Sequence, residues 1–271
     1  MKIYKTYRQI LADDDSYKSN PSKNGFSKNF PSFSFYFRLI KIVIKSNRKA
    51  KKKLYDDFNW VASSFDVFEA LEKSGVVFEI EGMSNLKKIE GPVIFISNHM
   101  STLETMILPS IIQPVKPVVY VIKQELANYP LFGKVAMARS PILVGRKNPR
   151  EDLKVVLEDG KRNIENGKSI IIFPQKTRNK YLEIKSFNSL GIKLAKRNSV
   201  GVIPIALITD AWGNGKLIKD FGKIDPNKVV KISFGEPIVK IDDDLTAHNK
   251  IIDFIAAKFE EWGKSELILT E

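Results

Sequence analysis

Short apolar runs recur along most of the chain, at residues 76–80, 93–96, 118–122, 142–144, 170–173, 202–207 and 229–234. Most are continuous rather than alternating and are rich in Val and Ile, the pattern of strands buried on both faces. Stretches of helical character separate several of them, notably 150–166 and 187–197. Near the end, Ile251, Ile252, Ile255, Ala256, Phe259 and Trp262 fall on one side of a helix. Buried strands alternating with helices predict an α/β domain over residues 76–271, with a largely parallel central sheet flanked by helices. Pro204 lies inside one of the apolar runs, where its missing N–H predicts an edge strand or an irregularity.

Ahead of that domain the pattern differs. Residues 1–32 are polar with little periodicity and read as a flexible tail, and the first twenty lack the apolar region of a secretory signal. Phe33, Phe35, Tyr36, Phe37, Leu39, Ile40, Ile42, Val43 and Ile44 then form a dense apolar stretch broken by Arg38 and Lys41. It is too short and too charged to cross a bilayer, which takes about 20 apolar residues. Lys45, Arg48, Lys49, Lys51, Lys52 and Lys53 follow at once. Aromatic and aliphatic residues joined to clustered cations suit a helix lying at a membrane surface; a core helix with a solvated basic end gives the same pattern. Phe58, Val61, Phe65, Phe68 and Leu71 share the face of a second helix, which Gly75 ends. Residues 33–75 therefore read as a helical pair at the membrane interface.

Composition sharpens this picture. The 271 residues carry 44 Lys+Arg against 31 Asp+Glu, a net charge of +13. The first 60 residues hold 14 basic and 5 acidic side chains, so about nine of those charges gather around the N-terminal helices. A polyanionic partner is implied: a membrane surface, a phosphorylated small molecule or nucleic acid. No nucleic-acid module is visible, and the charge sits beside an aromatic segment, so anionic membrane lipids are the expected partner and nucleic acid is not. The absence of cysteine excludes disulfides, thiolate metal sites and cysteine nucleophiles, and two histidines, His99 and His248, leave no multi-histidine metal site. His248 follows three aspartates and lies outside every motif, as a surface residue would.

Candidate chemistry gathers where apolar runs end, because reactive groups in open α/β sheets collect beyond the carboxyl ends of the strands. The 93–96 run leads into Ser97-Asn98-His99-Met100-Ser101-Thr102-Leu103-Glu104. If a helix starts near Ser101, Glu104 in its first turn can reach back to His99, and such a pair is general-base machinery for a hydroxyl. An ordinary helix cap with a surface histidine is the plainer reading of these residues alone. The 170–173 run leads into Pro174-Gln175-Lys176-Thr177-Arg178, where Thr177, Arg178 and Lys176 offer donors to a phosphate; a solvated basic turn is the alternative. Lys123 and Arg146 end two further runs.

In this order the blocks resemble the lysophosphatidic acid acyltransferase family over about residues 76–240. Asn98-His99 and Glu104 match the family's Asn-His-x4-Asp block. Phe173-Pro174-Gln175-Lys176-Thr177-Arg178 matches Phe-Pro-Glu-Gly-Thr-Arg. Lys123, Glu125, Leu126, Pro130, Phe132 and Gly133, then Arg146, match the second block, and Val202-Ile203-Pro204 the fourth. The resemblance implies an O-acyltransferase at the cytoplasmic face of the membrane, peripherally attached. It would move a fatty acyl chain from acyl-CoA or acyl carrier protein to a lysophospholipid such as lysophosphatidate, with no cofactor and no metal. His99 would be the base, Glu104 its orienting partner, and Arg178, Thr177, Lys176, Arg146, Lys123 and Asn98 would bind substrate. Glu104 in place of Asp, Gln175 in place of Glu and Lys176 in place of Gly are departures that leave the acceptor open, another lysolipid or a saccharolipid included. A non-catalytic membrane- or nucleic-acid-binding basic protein is the rival reading.

Overall fold

The computed structural model describes residues 14–19, 26–175, 177–215 and 219–270. Ten strands and eight α-helices are assigned among them. The strands are β1 (Tyr17–Lys18), β2 (Val77–Glu81), β3 (Ile94–Ser97), β4 (Val118–Lys123), β5 (Ile142–Val144), β6 (Ser169–Ile172), β7 (Leu182–Glu183), β8 (Val202–Ile208), β9 (Val229–Phe234) and β10 (Ile268–Leu269). The helices are α1 (Phe26–Asn29), α2 (Pro31–Lys51), α3 (Asp57–Glu72), α4 (Leu103–Ile112), α5 (Phe132–Met137), α6 (Pro149–Glu165), α7 (Leu190–Arg197) and α8 (Asp244–Glu261).

Eight strands form one sheet in the order β1-β2-β9-β8-β3-β6-β4-β5. From β8 to β5 every neighbouring pair is parallel; β9 runs against β8, β2 runs with β9, and β1 turns back against β2. The sheet is thus the expected largely parallel one. Its five parallel strands all deliver their carboxyl ends to the same edge, which places the loops after β3, β6 and β8 side by side.

Successive strand residues point to opposite faces. Phe95, Ile171 and Ile203 pack on one face with Phe65 and Phe68 of α3 and Leu103 and Ile107 of α4. Ile94, Ile96, Ile170 and Ile172 pack on the other with Val156 of α6, Ile192 of α7 and Ile251 of α8. Both faces of β3 and β6 are fully buried, which is why those runs carry no polar alternation. Each such Ile or Phe contributes about 1.5–3 kcal/mol by leaving water.

The helical pair forms as the periodicity predicts. Asp56 caps α3 by accepting from the Asn59 N–H at 2.8 Å, and Gly75 beyond its end takes the left-handed φ of 91° that favours glycine. α2 runs on through the basic segment, with Arg48, Lys49 and Lys51 in its last turn, where the negative end of the helix dipole favours cations. Phe35 and Leu39 are buried in the same core as the sheet residues, and Phe35 meets the Trp212 ring edge-on at 4.7 Å. Phe33, Phe37 and Ile40 lie exposed on the opposite side, Phe33 and Phe37 stacked at 6.5 Å. Among the described residues no helix is long and apolar enough to cross a membrane.

One expectation is corrected, and another resolves to one of its two readings. Part of the 1–32 segment is ordered: Tyr17 and Lys18 pair with Ile80 and Glu79, Asp15 accepts from the Ser84 N–H at 3.0 Å, and residues from Phe26 onward are helical. The open edge of β2 supplies backbone partners that a polar sequence does not advertise. Residues 1–13 and 20–25 lie outside the described residues. Pro204, in turn, is not on an edge, since β8 lies between β3 and β9. Its carbonyl accepts from the Gly235 N–H at 2.8 Å, so the position its own N–H would take faces the point where residues 235–237 leave the ladder. A Cβ on Gly235 would come within 2.7 Å of the Pro204 ring, so the irregularity requires glycine opposite proline.

Candidate active site

His99 lies just past β3, and its position is fixed by three elements. Its backbone N–H donates to the Gln175 side-chain oxygen at 2.7 Å, its carbonyl accepts from the Asn179 N–H at 2.9 Å, and its ring stacks on Phe173 at 4.2 Å. The loops after β3 and β6 are therefore stitched together around the histidine. Nδ1 lies 2.9 Å from Glu104 Oε1, and the imidazole is 14% exposed. A carboxylate at Nδ1 fixes the neutral ring with its proton on that nitrogen, leaving the Nε2 lone pair for a substrate hydroxyl.

Glu104 is fully buried in the first turn of α4. A buried carboxylate costs several kcal/mol unless it is surrounded by donors. Here the Met100 N–H donates at 2.7 Å, the Ser101 N–H at 2.9 Å, and the Thr209 hydroxyl at 2.6 Å; Ser101 Oγ stands 3.0 Å from Oε2. The start of the helix adds its positive dipole end. Burial pushes the Glu104 carboxyl up, but the His99 hydrogen bond and charge, with Thr209 and Ser101, outweigh it and hold the group below its ordinary value. The extra methylene relative to the family's aspartate thus lets one carboxylate cap the helix and orient the imidazole together.

The other predicted residues separate into three groups. Arg178 comes into the site: it hydrogen-bonds Thr102 Oγ1, three residues from His99, and pairs with Asp220 at 2.6 Å. Thr177, next to it, accepts from Lys219 Nζ at 3.4 Å. Lys123 and Arg146 stand at the carboxyl ends of β4 and β5, on the same sheet edge but beyond β6 from His99. Lys123 pairs with Glu125 at 2.6 Å, and Arg146 takes a left-handed φ of 57°, its N–H held by Asp152 at 2.9 Å. Asn98 has a different task from substrate contact. It is buried, its amide donating to the Leu207 carbonyl and accepting from the Leu207 N–H, both at 2.9 Å. That clamps the end of β3 to β8. Lys176 lies outside the described residues.

Gln175 also reads differently in place. Buried, it bridges the His99 N–H and the Tyr181 carbonyl, at 2.7 and 3.0 Å, so its replacement of a family glutamate adjusts internal hydrogen bonding rather than the charge presented to a ligand. The sequence reading missed Thr209, Asp220 and Ser101 as site residues. Thr209 is the first polar residue past the β8 run, the same signal that singled out His99. Nothing in the sequence pattern marks Asp220. His248 is half-buried and tilted against Phe187 at 6.1 Å, rather than a plain surface residue.

Fold and site together define an α/β protein with a carboxylate-oriented histidine at the carboxyl edge of a parallel sheet, beside an arginine. Residues 77–208 match the family described as Acyltransferase. A 1-acyl-sn-glycerol-3-phosphate acyltransferase of Pseudomonas aeruginosa is 30% identical over 148 residues, 55% of this chain and 55% of that protein. A probable 1-acyl-sn-glycerol-3-phosphate acyltransferase of Mycoplasma genitalium is 26% identical over 181 residues, 65% of this chain and 67% of that protein. The crystal structure of the 1-acyl-sn-glycerophosphate (LPA) acyltransferase from Thermotoga maritima superposes with a TM-score of 0.64 at 18% identity, covering 86% of this chain and 94% of that one, a likeness of fold. The match to the acyltransferase family lies in residues 77–208, just under half of the chain. It spans about half the length of the first curated relatives it matches.

Proposed function

We propose that the protein is an O-acyltransferase that moves a fatty acyl chain from an acyl thioester, acyl-CoA or acyl carrier protein, to the free hydroxyl of a lysophospholipid, lysophosphatidate giving phosphatidate. The observation that carries this is the His99–Glu104 pair, with Nδ1 committed to the carboxylate and Nε2 left for a hydroxyl. His99 Nε2 takes the hydroxyl proton as the acceptor oxygen attacks the thioester carbonyl. The tetrahedral intermediate collapses with cleavage of the C–S bond, and the proton on His99 passes to the departing thiolate. Glu104 stabilises the imidazolium between those steps. The acceptor oxygen is itself the nucleophile, so no acyl-enzyme forms.

Arg178 is the natural holder of the acceptor's phosphate, since it reaches Thr102 at the start of α4 and presents a planar fork of donors. The names of the relatives, all acting on a glycerol 3-phosphate ester, support that acceptor. Purified protein with lysophosphatidate and each thioester donor tests the activity directly. In the same assay Arg178→Ala is expected to raise KM for lysophosphatidate by about 10- to 100-fold, the worth of a lost charge-assisted contact. An unchanged KM would remove Arg178 from the phosphate site.

The exposed Phe33, Phe37 and Ile40, in the first half of α2 with Lys41 over the Phe37 ring, fit a peripheral contact with the anionic cytoplasmic leaflet. Changing Phe33 and Phe37 together to Ser is expected to cut co-sedimentation with phosphatidylserine-containing vesicles severalfold, without lowering the melting temperature, because both rings already face solvent. Equal pelleting of the variant and the wild type would show that this face does not carry the contact.

A further inference from the structure

Arg178 does not stand alone. Asp220, in the loop between β8 and β9, places Oδ1 2.6 Å from the guanidinium and accepts from Thr102 Oγ1 at 3.0 Å. Arg178 is 16% exposed and Asp220 26%, so the pair is partly shielded from water and salt. The carboxylate is also held in place. The indole N–H of Trp212 donates to the Asp220 carbonyl at 3.2 Å, Tyr36 of α2 donates to the Gly222 carbonyl at 2.5 Å, and the Ile224 N–H donates to Ser32 Oγ at 3.0 Å. Phe221 lies against the Tyr36 ring at 5.6 Å. A loop tied to α2 just past one aspartate brings that carboxylate to the arginine beside the catalytic histidine.

We propose that Asp220 is the resident counter-ion of the acceptor site and sets the cost that an acceptor's anion must meet to engage Arg178. This rests on the reading of Arg178 as the phosphate holder. In the acceptor-free protein the Asp220 carboxylate occupies a donor that the phosphate needs. Binding is then an exchange of anions at Arg178. A phosphomonoester brings a charge of about −1.5 to −2 and three acceptor oxygens, so it gains enough at the guanidinium to displace a single carboxylate. A phosphodiester headgroup, with one negative charge, gains less, and an uncharged acylglycerol gains nothing. Displacing Asp220 costs every acceptor that uses Arg178 the same free energy, so Asp220 lowers the affinity for each by one common factor and leaves their ranking to what each gains at the guanidinium.

The test compares wild type, Asp220→Asn and Asp220→Glu in the acylation assay, with inorganic phosphate as a competitive inhibitor. The expected result for Asp220→Asn is a fall of about tenfold in the inhibition constant of inorganic phosphate, the fold equivalent of one charge-assisted hydrogen bond, and a fall of similar size in the KM for lysophosphatidate. Asp220→Glu restores wild-type values. An inhibition constant for phosphate that does not fall in Asp220→Asn, with or without a lower melting temperature, overturns the proposal and leaves Asp220 a structural tie for its loop. Should the asparagine variant not fold, Asp220→Ser reads the same constant. Arg178→Ala separates the two readings. If it leaves phosphate inhibition and the lysophosphatidate KM unchanged, the phosphate site itself is misplaced. If it raises both while Asp220→Asn moves neither, only the counter-ion proposal fails.

Discussion

Replacing His99 with Ala is expected to reduce phosphatidate formation by at least about 10³-fold, near the upper range attributed to a positioned general base. The expectation follows from geometry. Glu104 holds Nδ1 at 2.9 Å, and Phe173 fixes the plane of the ring, so the imidazole is already oriented before an acceptor arrives. The fold should survive, because the backbone links of His99 to Gln175 and Asn179 do not involve its side chain. The measurement is product mass from lysophosphatidate and thioester, beside a thermal melt of the same preparation. Undiminished acyl transfer by the alanine variant would remove His99 from the chemistry, and with it the mechanism.

Glu104→Gln should be costly twice over. The amide keeps the shape but cannot stabilise an imidazolium, and its NH2 cannot accept what Oε2 accepts now; a fall of about 10³- to 10⁴-fold in kcat is expected, as for a carboxylate lost from a histidine pair. Stability should also drop, by about 3 kcal/mol, because the N–H groups of Met100 and Ser101 and the Thr209 hydroxyl now converge on a charge. The sign of its pH dependence is fixed. The folded carboxyl lies below its ordinary value of 4.5, so its contribution is complete above that value and is lost as pH falls through the lower folded one. The stability gap between wild type and Glu104→Gln should therefore be widest near neutral pH and narrow in acid. Denaturant melts at several pH values read it directly, and a gap that widened toward acid would contradict an ionised Glu104.

The strands were legible because buried parallel strands need no polar face, so Val93, Ile94, Phe95 and Ile96 read as one continuous run. The reversal at β9 and β2 was not, since pairing direction depends on how the connections run and not on the residues paired. His99 and Glu104 were legible together because they are five residues apart across a helix start, a local relation. The partner of Asn98 was not legible, because adjacency to His99 says nothing about direction: its amide turns to Leu207, 109 residues away. Thr209 and Asp220 meet Glu104 and Arg178 across 105 and 42 residues of chain. Only the fold makes such pairs neighbours. Pro204 obeyed the rule about missing donors, but the irregularity lay in the chain beside it.

The burial of Phe35 and Leu39 in the same core as Phe95 and Ile171 has a consequence for how the protein would meet a surface. A hook joined by a loose linker lets the body behind it tumble, and its effect is one of local concentration alone. α2 is not joined in that way. Its inward face is part of the packing that holds the sheet, and its outward face carries Phe33 and Phe37. Contact through those rings would fix the pose of the whole body, and therefore the direction in which His99 looks, much as a keel sets a heading. Cutting the helix away would strip that core rather than free a passenger, so point changes on its outer face are the way to separate anchoring from folding.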